Sequence, residues 1–182
     1  MKRWEVISNL LKELSKDNLI IGEVGVFEGK TTRFVFDENE KSIEEYDLID
    51  PFKTYPDYDN INYDVRANQI KLNYAELKLE KYINNKRKIK LYKDFSEYAV
   101  KKFKDNYFDC VFIDANHEYK YIVNDIEMWL KKLKVGGLLI GHDFNYPDLP
   151  DVKKAVETHF GDHYFLEDDY IWWVKKGETL NE

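Results

Sequence analysis

Residues 20–32, Ile-Ile-Gly-Glu-Val-Gly-Val-Phe-Glu-Gly-Lys-Thr-Thr, pass from an apolar strand through a loop with two glycines into the start of a helix. A second apolar strand follows at residues 46–50, so the segment reads as a βαβ unit. Such a crossover is right-handed, which places the two strands side by side and parallel with their acidic ends on one edge. Gly25 and Gly29 would let the backbone approach a bound molecule without a Cβ in the way. The helix after them offers its first N–H groups and its positive dipole end. Glu23 adds a carboxylate near the loop, and Asp50 closes the second strand, where an acid commonly holds ribose hydroxyls in doubly wound sheets. The pair points to a nucleoside-type ligand.

The rest of the chain repeats this alternation. Residues 4–14 carry Trp4, Ile7, Leu10, Leu11 and Leu14 at helical spacing, as expected for a peripheral helix within residues 1–17. Helices are expected over about 30–36, 65–83, 96–103, 121–133 and 151–160, and strands at 19–24, 46–50, 89–92, 108–113 and 138–140. Residues 108–113 form a continuous apolar run, the mark of a central strand covered on both faces. Gly136 and Gly137 read as the break between a helix and the strand after it. The tail, residues 164–174, holds two short strands split by Glu167, Asp168 and Asp169, close enough for an antiparallel hairpin. Residues 51–63 read as an irregular loop over the ligand edge; Tyr55, Tyr58 and Tyr63 either form an aromatic lid or simply pack. Strands alternating with helices throughout make residues 1–182 one α/β domain with a mostly parallel sheet.

Composition narrows the function classes. The 182 residues suit one core, and no apolar run approaches the roughly 20 residues that cross a bilayer. The start lacks the features of a secretory signal, so a cytoplasmic location without membrane attachment is expected. A net charge of −7 disfavours a broad nucleic-acid surface. The one basic cluster, residues 84–93, alternates like a strand with solvated lysines. Cys110, the only cysteine, lies in the buried run and reads as a core residue, which excludes a disulfide framework.

Taken together, these residues resemble the class I S-adenosylmethionine-dependent methyltransferases, in particular the small macrocin-like O-methyltransferase branch. Glu23-x-Gly25-x-x-x-Gly29-x-Thr31 is similar to the family's first motif, Asp50 to its ribose-binding acid, and Asp94-Phe95-Ser96 to its adenine-side loop. Residues 112–119, Phe-Ile-Asp-Ala-Asn-His-Glu-Tyr, resemble its IDG-D-H-x-Y segment. Leu133-Lys134-Val135-Gly136-Gly137 and Gly141-His142-Asp143 resemble its L-K-P-G-G and G-H-D elements. The resemblance implies a Rossmann-like seven-stranded sheet of order 3-2-1-4-5-7-6, with ligands beyond the carboxyl ends of the strands. It also implies S-adenosylmethionine as cofactor, held by Glu23, Gly25, Val26, Phe27, Gly29, Thr31, Asp50, Asp94, Phe95 and Asp114. Phe27 stands where a nicotinamide fingerprint has its middle glycine, which weighs against a dinucleotide.

Methyl transfer is an in-line displacement that needs an aligned acceptor and an outlet for its proton. Asp114, His117 and His142 are the catalytic candidates. Asp114, His142 and Asp143 suit a divalent cation such as Mg2+, as acids do at the same strand ends in macrocin-type relatives. The alternative is a metal-free reaction with His117 or His142 as general base. His159 and His163 lie outside any motif. Tyr119 either lines the acceptor pocket or packs its helix, and of Trp172 and Trp173 at most one faces the core. The expected activity is O-methylation of a small hydroxylated acceptor, a sugar or a secondary metabolite, with a homodimer left open. Nucleic-acid methylation is a second reading, disfavoured because the N-P-P-Y loop of amino-group methylases is replaced by residues 114–117. A catalytically silent nucleoside-binding module is a third.

Overall fold

The computed structural model describes residues 1–54 and 68–177, so Tyr55, Tyr58, Tyr63 and the first residues of the helix expected from 65 lie outside the described residues. In chain order the elements are α1 (Arg3–Glu13), β1 (Leu19–Val24), α2 (Lys30–Asn39), β2 (Ile43–Ile49), α3 (Gln69–Ile83) and β3 (Ile89–Tyr92). After them come α4 (Ser96–Ala99), extended by a 3-10 turn at Val100–Lys102, then β4 (Phe108–Ile113), α5 (Tyr119–Lys132) and β5 (Leu133–Gly141). The chain finishes with α6 (Pro150–Phe160), β6 (Phe165–Glu167) and β7 (Ile171–Lys175). The seven strands form one sheet in the order β3-β2-β1-β4-β5-β7-β6, as the resemblance implies. Only β7 runs against its neighbours; the tail hairpin sits at the sheet edge where the turn acids placed it.

Side-chain alternation divides the core between the two faces of the sheet. Ile21, Tyr46, Leu48, Cys110 and Phe112 pack on the side of α1, α2 and α3. Val24, Ile49, Val111, Ile113 and Leu139 pack on the side of α5 and α6, around the fully buried Trp129 and Trp172. β4 is buried at all six positions, as its continuous apolar run requires. Trp172 faces inward while Trp173 is half-buried and stacks on Phe165 of the edge strand, 4.3 Å between ring centroids. Cys110 is buried, and burial pushes its thiol far up, so it serves as packing.

The apolar face of α1 packs as its amphipathic spacing expects: Val6, Ile7, Leu10 and Leu11 join the same core as Val35 and Phe36 of α2. Several boundaries depart from the periodicity. α2 runs on to Asn39, whose buried side chain donates to Ser8 Oγ (2.9 Å) and to the Val35 carbonyl (2.8 Å). β2 starts at Ile43, which pairs with Leu19 of β1, and the Glu45 side chain is held by Lys90 and by the Tyr107 hydroxyl. Gly136 and Gly137 lie within β5 and break no helix; α5 already ends at Lys132. Gly136 has φ +80°, and a Cβ on Gly137 would come within 2.9 Å of the Asp109 and Lys134 carbonyls, so both glycines serve an irregular stretch of strand. Three of the five basic residues around β3 form ion pairs, Lys86 with Asp37, Lys90 with Glu45, and Lys93 with Glu76 and Glu80, while Lys88 donates to the Glu40 and Ile43 carbonyls.

Candidate active site

The sheet order changes direction between β1 and β4, and there the hydrogen-bond ladder continues past the strand ends. The Asp50 N–H donates to the Tyr92 carbonyl, Gly25 to Ile49, Asp114 to Val24 and His142 to Ile113. The tips of β3, β2, β1, β4 and β5 therefore stand in a row, about 4.8 Å apart. Asp94, Asp50, Gly25, Asp114 and His142 occupy successive places along it.

At the β4–β5 end four titratable side chains meet, all nearly buried. His117 Nε2 lies 2.8 Å from Asp143 Oδ2 and 3.6 Å from Asp114 Oδ1. His142 Nδ1 lies 2.9 Å from Asp143 Oδ1 and 3.7 Å from Asp114 Oδ1. These are ion-pair distances without hydrogen-bond alignment, so Asp114 Oδ1, His117 Nε2 and both His142 ring nitrogens are buried without a hydrogen-bond partner among the described residues. Burial pulls His117 down, but the two carboxylates outweigh it and raise its pKa to about 9. Burial alone would push Asp114 and Asp143 up; the imidazoles beside them reverse this and hold both below the usual carboxylate range, Asp143 strongly so. The turn after β5 is strained, with Asp143 and Asn145 both at φ +62°, and it is tied across to the β6–β7 turn by the Phe144 N–H donating to the Tyr170 carbonyl, 2.9 Å. Tyr170 (φ +61°) and Tyr146 form an edge-to-face pair at 5.1 Å and are both exposed, forming an aromatic wall beside the cluster.

Asp114, His117 and Asp143 each offer a ligand atom, all within 4.8 Å of one another. The sequence pattern named His142 for this set; its Nδ1 lies at similar distances from the same two carboxylates. Nitrogen and oxygen donors of this kind suit a divalent transition ion at least as well as magnesium.

The β1–β2 end differs from expectation in how its acids are used. Glu23 turns into the core, 1% exposed, and its Oε2 accepts from Thr32 Oγ1 (2.8 Å) and the Tyr46 hydroxyl (2.7 Å). Burial pushes its pKa up to about 7 despite those two donors. Asp50 accepts three backbone N–H groups: Val26 (2.9 Å) and Phe27 (2.8 Å) on Oδ2, and Phe52 (2.8 Å) on Oδ1. A carboxylate has about four acceptor positions, and the described residues use three of those of Asp50. Gly25 (φ +88°) has no room for a Cβ because the Asp114 carbonyl fills that space, and at Gly29 (φ +69°) a Cβ would come within 2.6 Å of Leu79 Cδ1. The glycines let the loop press against β4 and α3, a packing reason that stands beside the expected ligand clearance.

Asp94 accepts from the Phe95 N–H (3.1 Å) and pairs with Lys102 (3.2 Å) at the far end of the row. Tyr119 packs against the α5–α6 core, with Lys154 4.7 Å over its ring. His159 and His163 stand away from the strand tips; His163 Nδ1 contacts the Phe160 carbonyl, and burial lowers His159. One further side chain enters the site without a sequence signal. Arg3, at the start of α1, donates from Nε to Thr31 Oγ1 (3.2 Å), and one of its terminal nitrogens lies 3.6 Å from Asp114 Oδ2. An arginine at the head of an amphipathic helix has nothing in its spacing to mark it.

Residues 23–144, more than half of the chain, match the family described as methyltransferase domain. The uncharacterised protein R132 of Acanthamoeba polyphaga mimivirus is 27% identical over 161 residues, spanning 87% of this chain and 67% of that protein. Among solved structures the chain is similar to the O-methyltransferase NovP, with TM-score 0.71, 15% identity, and coverage of 96% of this chain and 79% of NovP. It is also similar to the calicheamicin methyltransferase CalS11, with TM-score 0.67, 14% identity, and coverage of 95% and 78%. At such identities the two likenesses concern the fold.

Proposed function

The chain belongs to the family of S-adenosylmethionine-dependent methyltransferase domains, and from that premise we propose that it methylates a hydroxyl oxygen of a small acceptor with His142 as the base. The observation that carries the reading is the tip of β5. There Asp143 sits beside His142 Nδ1, while Nε2 is buried without a hydrogen-bond partner among the described residues. S-adenosylmethionine supplies, when bound, an electrophilic methyl group on a positively charged sulfur. The residues present fit it: strand-tip carboxylates favour a cation and would repel a pyrophosphate, and orphaned polar atoms at Asp114 and His142 await partners. Asp114, Asp50, Thr31 and the start of α2 are the residues that would hold it.

Within this reading Asp143 fixes His142 with Nδ1 toward its carboxylate, leaving the Nε2 lone pair to take the acceptor's proton. His117 is the poorer base, because the two carboxylates beside its Nε2 raise its pKa to about 9 and keep the ring protonated near neutral pH. Such hydrogen bonds are commonly loose before ligands arrive and tighten in the reacting complex. Tyr146 and Tyr170 offer a ring-sized apolar face to a sugar or secondary metabolite. The ion pairs of Lys86, Lys90 and Lys93 around β3 and the net charge of −7 weigh against nucleic acid as the acceptor, and a catalytically silent module has no use for the paired Asp143 and His142.

A transfer assay across hydroxylated sugars and phenols, read by mass and by the chemical shift of the new methyl, tests the proposal. We expect O-methyl products, and a His142→Asn enzyme slower by about 10²–10⁴-fold in kcat with cofactor affinity retained. Products methylated only on nitrogen, or an unimpaired variant, would refute it. A second reading is favoured by the grouping of Asp114, His117 and Asp143. These three would hold a divalent cation that binds the acceptor oxygen and lowers its pKa. Activity lost to a chelator and restored by a divalent ion supports that version; indifference to complete chelation removes it.

A further inference from the structure

We propose that Arg3 is the anchor for the ligand's amino-acid carboxylate, an inference that rests on the methyltransferase reading and adds to the cofactor site a residue from the N-terminal helix. The row of strand tips is acidic along its length, with Asp94, Asp50, Asp114 and Asp143 in turn. A cofactor of this class carries one anionic group, the α-carboxylate, beside an α-ammonium. An acidic row serves the ammonium and the sulfonium and repels the carboxylate, so one cation has to stand among the acids. Apart from the two histidines, Arg3 is the cation paired with Asp114 among the described residues.

Its setting is suited to that role. Arg3 bridges the two structural parts that meet the ligand, through Nε to Thr31 Oγ1 at the head of α2 and through a terminal nitrogen 3.6 Å from Asp114 Oδ2. That 3.6 Å is too long for a hydrogen bond, so the terminal N–H groups keep donors for a planar carboxylate, which a guanidinium grips through two parallel bonds. Asp114 Oδ2 faces Arg3 while Oδ1 faces the histidines, so a single residue separates the proton-handling cluster from the cationic corner. Arg3 and Asp114 side by side present one positive and one negative group, the mirror of an α-ammonium and α-carboxylate on one carbon. The helix that carries Arg3 is fixed twice: Val6, Ile7, Leu10 and Leu11 are buried, and the Arg3 N–H donates to Asp169 Oδ2 at 2.7 Å. The side chain is therefore held in place before ligand arrives, which spares the ordering cost of a flexible arginine.

Calorimetric titration of the intact protein and of Arg3→Ala and Arg3→Lys tests this with two ligands. One is S-adenosylhomocysteine; the other is its decarboxylated form, which keeps the nucleoside, the sulfur and the amine. We expect Arg3→Ala to bind S-adenosylhomocysteine about 10- to 100-fold more weakly, the range for a charge-assisted pair, and the decarboxylated ligand within about twofold of wild type. Arg3→Lys should recover part of the loss. Equal weakening toward both ligands would mean that Arg3 only secures α1 and would overturn the assignment, as would unchanged affinity for S-adenosylhomocysteine. A wild-type protein that binds neither S-adenosylmethionine nor S-adenosylhomocysteine would instead remove the methyltransferase reading itself.

Discussion

Replacing Glu23 by Gln separates a core acid from a ligand-facing one. Glu23 is 1% exposed, accepts two hydroxyl hydrogen bonds on Oε2, and has its pKa raised from 4.5 to about 7 by burial. For an acid shifted upward, the folded protein binds more protons than the unfolded chain between those two values, so stability falls as pH rises through that window. The span from 4.5 to about 7 corresponds to about 3 kcal/mol at ~1.4 kcal/mol per decade of proton affinity. Glutamine keeps an acceptor for Thr32 and Tyr46 and has no proton to lose. The difference in unfolding free energy between variant and wild type should therefore drift by about 3 kcal/mol in the variant's favour from pH 4 to pH 8. Urea denaturation at half-unit pH steps measures it, and any constant cost of the amide cancels from the slope. A difference flat with pH would refute the argument, and loss of S-adenosylmethionine binding in a stably folded Glu23→Gln protein would return Glu23 to the ligand.

Two further substitutions test the packing that positions the site. A Cβ at Gly141 would overlap the indole of Trp172, so Gly141→Ala should cost about 3 kcal/mol in urea unfolding and disturb the adjoining His142; a loss under 1 kcal/mol would contradict the close fit. Ser96 Oγ donates to the buried Asp125 and accepts from Trp129 Nε1 at 2.8 Å. Ser96→Ala leaves both unpaired and should cost about 2 kcal/mol. Because burial raises Asp125 to about 7, that cost should grow above neutral pH, and a pH-independent loss would argue against it.

How much of this was legible in the sequence depends on what each residue's neighbours had to be. β3 and β4 have the expected bounds because an apolar run closed by polar residues is a local signal. β5 begins five residues earlier than expected, since its first half carries a lysine and two glycines and owes its strand form to the pairing of Leu133 with Phe108 of β4 and to backbone hydrogen bonds of Gly136 and Gly137 with Lys176. The strand-tip acids were found by position, because topology alone brings strand ends together. What their carboxylates do was not legible, as it depends on the direction in which each side chain leaves the backbone. Glu23 turns inward to Thr32 and Tyr46, and Asp50 turns to backbone N–H groups. Nor was Arg3, which reaches Asp114 only because α1 packs on α2.

The three N–H groups gathered by Asp50 belong to two turns that bend unfavourably for their residues, with Phe27 at φ +51° and Phe52 at φ +48°. Bulky side chains adopt such angles only under compulsion, and here the carboxylate supplies it. Asp50 thus acts as a knot whose release would let both segments relax. An alanine there would slacken the loop whether or not a ribose ever touched the acid, so poorer ligand binding by such a variant would chiefly gauge how much order the loop had lost.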